Sequence, residues 1–128
     1  MVFPIQSASS APTSSAPTAP QLHVATAGEA LFDLIEEPDG RLKPCAGGAV
    51  YNLTRALGLQ GVGTLYLNPL SGDMLGRQLA RGLHEAGVAL AAPTPVRAPS
   101  ALALAALDAE GKASYSFYRD GVADRQVT

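Results

Sequence analysis

Two adjacent glycines stand one helical turn ahead of an asparagine in "AGGAVYN", Ala46 to Asn52. Glycine lets a backbone approach a ligand closely and adopt conformations closed to other residues. The first amides of a helix are free to donate, and the side chain of Asn52 both donates and accepts. Gly47, Gly48 and Asn52 therefore suit a hydroxyl-rich ligand such as a sugar, in which every hydroxyl is donor and acceptor at once. A plain glycine-rich loop capping a helix accounts for the same residues equally well.

Asp33, in "GEALFD", sets a carboxylate among apolar neighbours, where an unpaired charge is costly. Two sugar hydroxyls on it would give charge-assisted bonds worth about 1.5–3 kcal/mol each. The alternative is a strand-edge aspartate facing water. Glu29 lies too far along the same strand to form an acid–base pair with Asp33 and reads as structural. Arg119 closes the run "SYSFYR", in which Tyr115, Phe117 and Arg119 share one strand face and Ser114, Ser116 and Tyr118 the other. There it either holds an anionic or hydroxylated ligand over an aromatic floor or sits on a solvated hairpin edge.

Other chemistry is excluded residue by residue. His23 falls in a strand run and His84 on the outer side of a helix, so neither reads as functional. Cys45 is the single cysteine; it allows no internal disulfide, supplies no zinc-ligand pair, and reads as a small filler side chain. The glycines of "GLQGVG" are ordered G-x-x-G-x-G and precede a strand, which is not the dinucleotide fingerprint, and no "GK[ST]" exists. With 9 Lys+Arg against 11 Asp+Glu and no basic cluster, nucleic acid is not an expected partner. No apolar run approaches the ~20 residues of a membrane span, and the expected setting is a reducing cytoplasm.

These residues need elements to hold them. Residues 1–20, uncharged and rich in Ser, Ala, Pro and Thr, predict a flexible tail, because such a segment buries too little apolar area to offset its ordering entropy. From Gln21 onward, "LHVATAGEALFDLIEE" predicts two short strands kinked at Gly28, and Pro38–Gly40 a turn. A helix is predicted over Ala49–Leu59 with Val50, Leu53 and Leu57 inward. "GVGTLYLNPL" follows as a buried strand. A second helix is capped by Ser71, lines its inner face with Leu75, Leu79, Leu83 and Ala86, and stops at Gly87. "ALALAALDAEGKASYSFYR" is a β-hairpin about the turn "DAEG". The order predicts an α/β sheet with an additional small set of strands.

Taken in order, "GEALFD", "GGAVYN", "LSGDMLG", Gly87–Val88, "SALALAALDAEGKASYSFYR" and Ala123–Asp124 resemble the N-terminal part of the ribokinase-like (PfkB) carbohydrate kinases, in their fructokinase-like branch. The resemblance runs from about Leu22 to Asp124. It implies a ribokinase-like α/β sandwich with a mostly parallel central sheet, and a β lid from strands near residues 29–45 and 101–119. In some members that lid also forms a dimer clasp, so a homodimer through it is expected here. The resemblance places sugar binding on Asp33, Gly47, Gly48 and Asn52, and directs Arg119 at the substrate. It implies phosphoryl transfer from ATP, with Mg²⁺, to a hydroxyl of fructose or a related keto-sugar. Val50 and Tyr51 are bulkier than is usual for the family's motif, and Ser71 replaces a frequent glycine.

The family's catalytic base, its Gly-Ala-Gly-Asp anion hole and its ATP site belong to a C-terminal half that nothing in residues 21–128 matches. The expectation is thus a fragment with the sugar-binding and lid elements, no catalytic residue and no metal ligand. A non-catalytic sugar-binding or lid-mediated interaction module is the alternative.

Overall fold

The computed structural model describes residues 1–5 and 21–127. Its strands divide between two sheets. The first contains β1 (Val2–Pro4), β2 (Val24–Thr26), β5 (Thr64–Tyr66) and β6 (Ala89–Leu90), in the order β1-β2-β5-β6. β2, β5 and β6 are parallel, as helical crossovers require, and β1 adds antiparallel to the edge. The crossovers are α1 (Ala49–Leu59) and α2 (Met74–Glu85).

The second sheet contains β3 (Leu31–Glu36), β4 (Leu42–Gly47), β7 (Ala101–Leu107) and β8 (Ala113–Tyr118), in the order β4-β3-β7-β8. β3 and β7 run parallel at its centre, with antiparallel partners outside. The chain crosses between sheets through Ala27–Ala30. β3 is common to both cores because successive side chains point to opposite faces. Phe32 joins a cluster with Tyr51, Tyr66, Leu79 and Leu83, whereas Leu31 packs with Ala101, Ala103 and Val122.

Three expectations are corrected. The tail expected over residues 1–20 begins as a strand: Val2 pairs with Thr26 and Pro4 with Val24, and the backbone carbonyl of Met1 accepts from Ala27. Residues 6–20 of that segment lie outside the described residues. The inner face of α1 consists of Tyr51 and Thr54 with Val50 packed beside them, while Leu53 is exposed. Thr54 belongs inside because its hydroxyl bonds the hydroxyl of Thr26 on β2 at 2.6 Å. The N-cap of α2 is Asp73, whose carboxylate accepts from Gly76 N–H at 2.7 Å; Ser71 stands two residues before it, its hydroxyl accepting from Asp73 N–H at 3.0 Å.

Candidate sugar site at the junction of the two sheets

Asp33 occupies the third position of β3, and its neighbours across the sheet are small. In register it lies beside Cys45 on β4 and Ala103 on β7, and Ala103 lies beside Phe117 on β8. Two residues earlier, Leu31 pairs with Gly47. The carboxylate therefore stands on a low floor, turned toward Gly47. A Cβ built on residue 47 would lie 2.5 Å from Asp33 Oδ2. Outward on the same face, Asp33, Ile35, Ala105, Leu107, Ala113 and Tyr115 line an apolar trough of about 260 Å³. The rings of Tyr115 and Phe117 stack nearly parallel there, 6.1 Å apart.

Gly48 follows β4 directly and opens α1 with φ +104°, a conformation that favours glycine. A Cβ there would also meet the carbonyl oxygen of Glu29 at 2.8 Å. Gly48 offers no side-chain cap, and the first turn of α1 holds no acidic residue. Glu29 supplies both functions from a distance in sequence. Its Oε1 accepts from Ala49 N–H at 3.0 Å and its carbonyl from Tyr51 N–H at 3.1 Å. A carboxylate at this end complements the helix dipole. Asn52 lies in the turn so fixed, with its N–H bonded to Gly48 C=O at 2.9 Å. It is exposed, and its side-chain amide bonds no described residue. The structure thus brings Asp33 and the glycine pair together and sets Asn52 one turn into the helix that Gly48 opens.

Arg119 behaves differently from the expectation. It lies just past the end of β8, and its guanidinium is committed to protein carboxylates instead of standing free over the aromatic pair. Nη1 donates to Glu29 Oε2 at 2.8 Å and Nη2 to Asp124 Oδ2 at 3.0 Å. Asp124, whose side chain is 2% exposed, sits in a short 3₁₀ turn, Ala123–Arg125. Its Oδ2 also accepts from Ala30 N–H at 3.2 Å. Arginine suits such a position because its planar fork reaches two carboxylates at once. The network continues through Asn68, which donates to Asp124 C=O at 2.6 Å and accepts from Gly28 N–H at 2.8 Å. Tyr66 Oη closes it on Gly28 C=O at 2.7 Å. Burial, reinforced by the nearby charge of Asp124, pushes the Tyr66 phenol well above its ordinary value. Arg119 Nε and Asp124 Oδ1 are buried without a hydrogen-bond partner among the described residues.

Glu29, Asn68 and Asp124 are the residues that sequence reasoning does not single out for this junction. Asn68 ending an apolar strand, and Asp124 after the hairpin, carry a faint signal. Their convergence on Arg119 has none, since it joins segments far apart in the chain. Among the described residues, no three His, Cys, Asp or Glu side chains gather closely enough to hold a metal ion, so no step through Mg²⁺ is derived from them. No helix among them is long and apolar enough to cross a membrane.

No protein-family model matches the chain. It is 33% identical over 105 residues to a fructokinase of Rhizobium leguminosarum bv. trifolii, covering 79% of this chain and 32% of that protein. It matches the crystal structure of a fructokinase from Xylella fastidiosa with a TM-score of 0.73 and 36% identity, covering 80% of this chain and 35% of the other. A crystal structure of a fructokinase with bound ATP from the same organism matches with a TM-score of 0.70 and 34% identity, over 78% of this chain and 34% of that one. The chain spans about a third of the length of the relatives it matches. The ribokinase-like α/β fold expected from the resemblance is the fold these structures share with it.

Proposed function

As a homologue of fructokinases within the ribokinase-like (PfkB) carbohydrate kinases, this chain, we propose, carries the sugar-binding side of an ATP-dependent kinase acting on fructose or a related keto-sugar. The observation that carries the reading is the Asp33 carboxylate, turned toward Gly47 over small neighbours at the foot of an open trough. A carboxylate so placed accepts two adjacent hydroxyls of one sugar, which fixes the ring by charge-assisted bonds. The backbone at Gly47 and Gly48 approaches the same ligand, and Asn52 offers it a donor and an acceptor. Asp33, Gly47, Gly48 and Asn52 are the proposed sugar contacts; Arg119 acts through them.

The reaction of the whole protein is transfer of the γ-phosphate of ATP to a sugar hydroxyl. Mg²⁺ serves there by neutralising charge on the phosphates. No catalytic role is assigned to any of the described residues, which bind and orient the acceptor. The second sheet serves as the lid that shields the acceptor from water. Ile35, Leu107, Tyr115 and Phe117, all exposed on its trough face, give it an apolar surface for closure over the sugar or for pairing with a second copy. A reducing, cytoplasmic setting agrees with the single cysteine.

Calorimetric titration of the intact protein with fructose, ribose and 2-keto-3-deoxygluconate tests the reading. Fructose should bind, and Asp33→Ala should weaken that binding by at least about a hundredfold with ATP binding nearly unchanged, because two charge-assisted bonds of about 1.5–3 kcal/mol each are lost. Equal sugar affinity in the variant and the parent removes Asp33 from the site.

A further inference from the structure

We infer that Arg119 is a positioning residue that couples the lid hairpin to the sugar-binding bend, without touching the sugar. The inference rests on the sugar-site reading above for its consequence, but not for its geometry.

Its first support is where the two N–H groups go. Glu29 divides its carboxylate: Oε1 holds Ala49 N–H at the start of α1, and Oε2 holds Arg119 Nη1. The backbone carbonyl of the same residue holds Tyr51 N–H and faces Gly48. Glu29 therefore grips the glycine bend by main chain and side chain together, and Arg119 sets the angle of that side chain. The second support is the other half of the fork. Asp124 Oδ2 receives Arg119 Nη2 and Ala30 N–H, so it ties the guanidinium to the backbone just before β3. Asp33 lies on β3, three residues beyond Ala30. One guanidinium thus reaches both halves of the candidate site, the helix start through Glu29 and the Asp33 strand through Asp124.

The third support is the position of Arg119 on the hairpin. β8 ends at Tyr118, paired with Leu102, so the next residue is where the hairpin leaves the second sheet. Movement of the hairpin moves the Arg119 backbone directly. A lysine in its place would supply one ammonium point charge instead of a fork, so it would hold one carboxylate well and the other poorly. An arginine bonded only to sugar would lack these two partners.

Amide hydrogen exchange and fructose titration on the intact protein, with Arg119→Met and Arg119→Lys, decide the matter. In Arg119→Met, exchange at Ala49 and Ala30 should accelerate about tenfold, a change within the range of coupling through a shared hydrogen-bond network. Amides within the β7–β8 pairing should keep their protection. Fructose affinity should fall by a similar factor, and Arg119→Lys should recover part of it. Weaker fructose binding with unchanged exchange at Ala49 and Ala30 would mean that Arg119 touches the sugar itself, and overturns the inference. So does acceleration spread equally over the β7–β8 pairing, which is a general loss of structure. Glu29→Gln, which removes charge with little change of shape, must also accelerate exchange at Ala49; no effect there overturns the inference even if Arg119→Met fails to fold. Should the unmutated protein bind no fructose, the sugar reading fails while the exchange data still decide the coupling.

Discussion

The carboxylate of Asp33 fills the space in which residue 47 would carry a side chain, since a Cβ on Gly47 would stand 2.5 Å from Asp33 Oδ2. Gly47 is not in the left-handed region of backbone space, so its identity is set by that carboxylate and not by strain. Gly47→Ala should therefore leave the fold nearly intact, changing stability by less than about 1 kcal/mol, because the obstructing atom is the free end of a side chain. It should displace Asp33 and weaken fructose binding by roughly ten- to a hundredfold. Thermal unfolding and fructose titration of the same variant check both halves. Unchanged affinity would show that the position of Asp33 does not matter to the ligand.

The adjacent glycine should behave in the opposite way. At Gly48 the φ of +104° is strained for any other residue, and the obstructing atom is the backbone carbonyl oxygen of Glu29, at 2.8 Å. Backbone cannot swing aside as a carboxylate can. Gly48→Ala should cost about 2–3 kcal/mol and lower the melting temperature by roughly 5–10 °C. Gly40→Ala is the control: φ is +82° but its Cβ would meet nothing, so only the conformational cost of about 1 kcal/mol remains. Equal melting temperatures for the two variants would contradict this account of the bend.

The contrast within one glycine pair shows what a sequence can and cannot state. That Gly47–Gly48 opens a helix was legible from the helical spacing of the residues that follow, and α1 spans Ala49–Leu59 as expected. The hairpin was equally legible, because its alternation and turn residues are local. Arg119 was legible only as a charge sharing a strand face with aromatics; its partner Glu29 lies ninety positions away, beyond any local pattern. The role of Glu29 was hidden for the same reason, since a helix cap is normally sought next to the helix. The exposed Leu53 reflects a competition that periodicity does not describe. Tyr51 and Thr54 turn inward because their hydroxyls find partners, Leu79 C=O at 3.0 Å and Thr26 Oγ1 at 2.6 Å. β1 had no sequence signal at all, being three residues at the head of a low-complexity segment.

Tyr66 predicts an alkaline limit. Its phenol is pushed up by burial first and by the charge of Asp124 second, so the folded protein holds the proton where the unfolded chain would release it. The contribution is complete below about pH 10, the ordinary tyrosine value, and is lost as pH rises above it. Urea titrations between pH 8 and pH 11 should show stability falling on the alkaline side. Tyr66→Phe should flatten that fall while lowering stability at pH 8 by about 1 kcal/mol, through loss of the bond to Gly28 C=O. An undiminished alkaline slope in the variant would place its origin elsewhere.

At the other end of the β7–β8 hairpin, Asp73 predicts an acid limit. Its carboxylate caps α2 through Gly76 N–H and also accepts from Ser100 N–H at 2.8 Å and Ser100 Oγ at 2.7 Å, immediately before β7 begins. Partial burial is the largest single influence and pushes the pKa up, but the hydrogen bonds from Ser100, Gly76 and Ser71 together outweigh it and hold the group below the ordinary carboxylate value. A lowered folded pKa means the stabilisation is fully present above about pH 4 and disappears as pH falls through the folded value. Asp73→Asn keeps the size and capping ability of the side chain and removes the titration. At pH 7 it should be less stable than the parent by about 1–2 kcal/mol, and the gap should close as pH approaches 2. Because Ser100 fixes where the hairpin enters the second sheet, exchange at the amides of Ala101 and Ala103 should also accelerate in the variant at pH 7. A stability gap that stays constant from pH 7 to pH 2 would mean that the charge of Asp73 plays no part in holding the hairpin to α2.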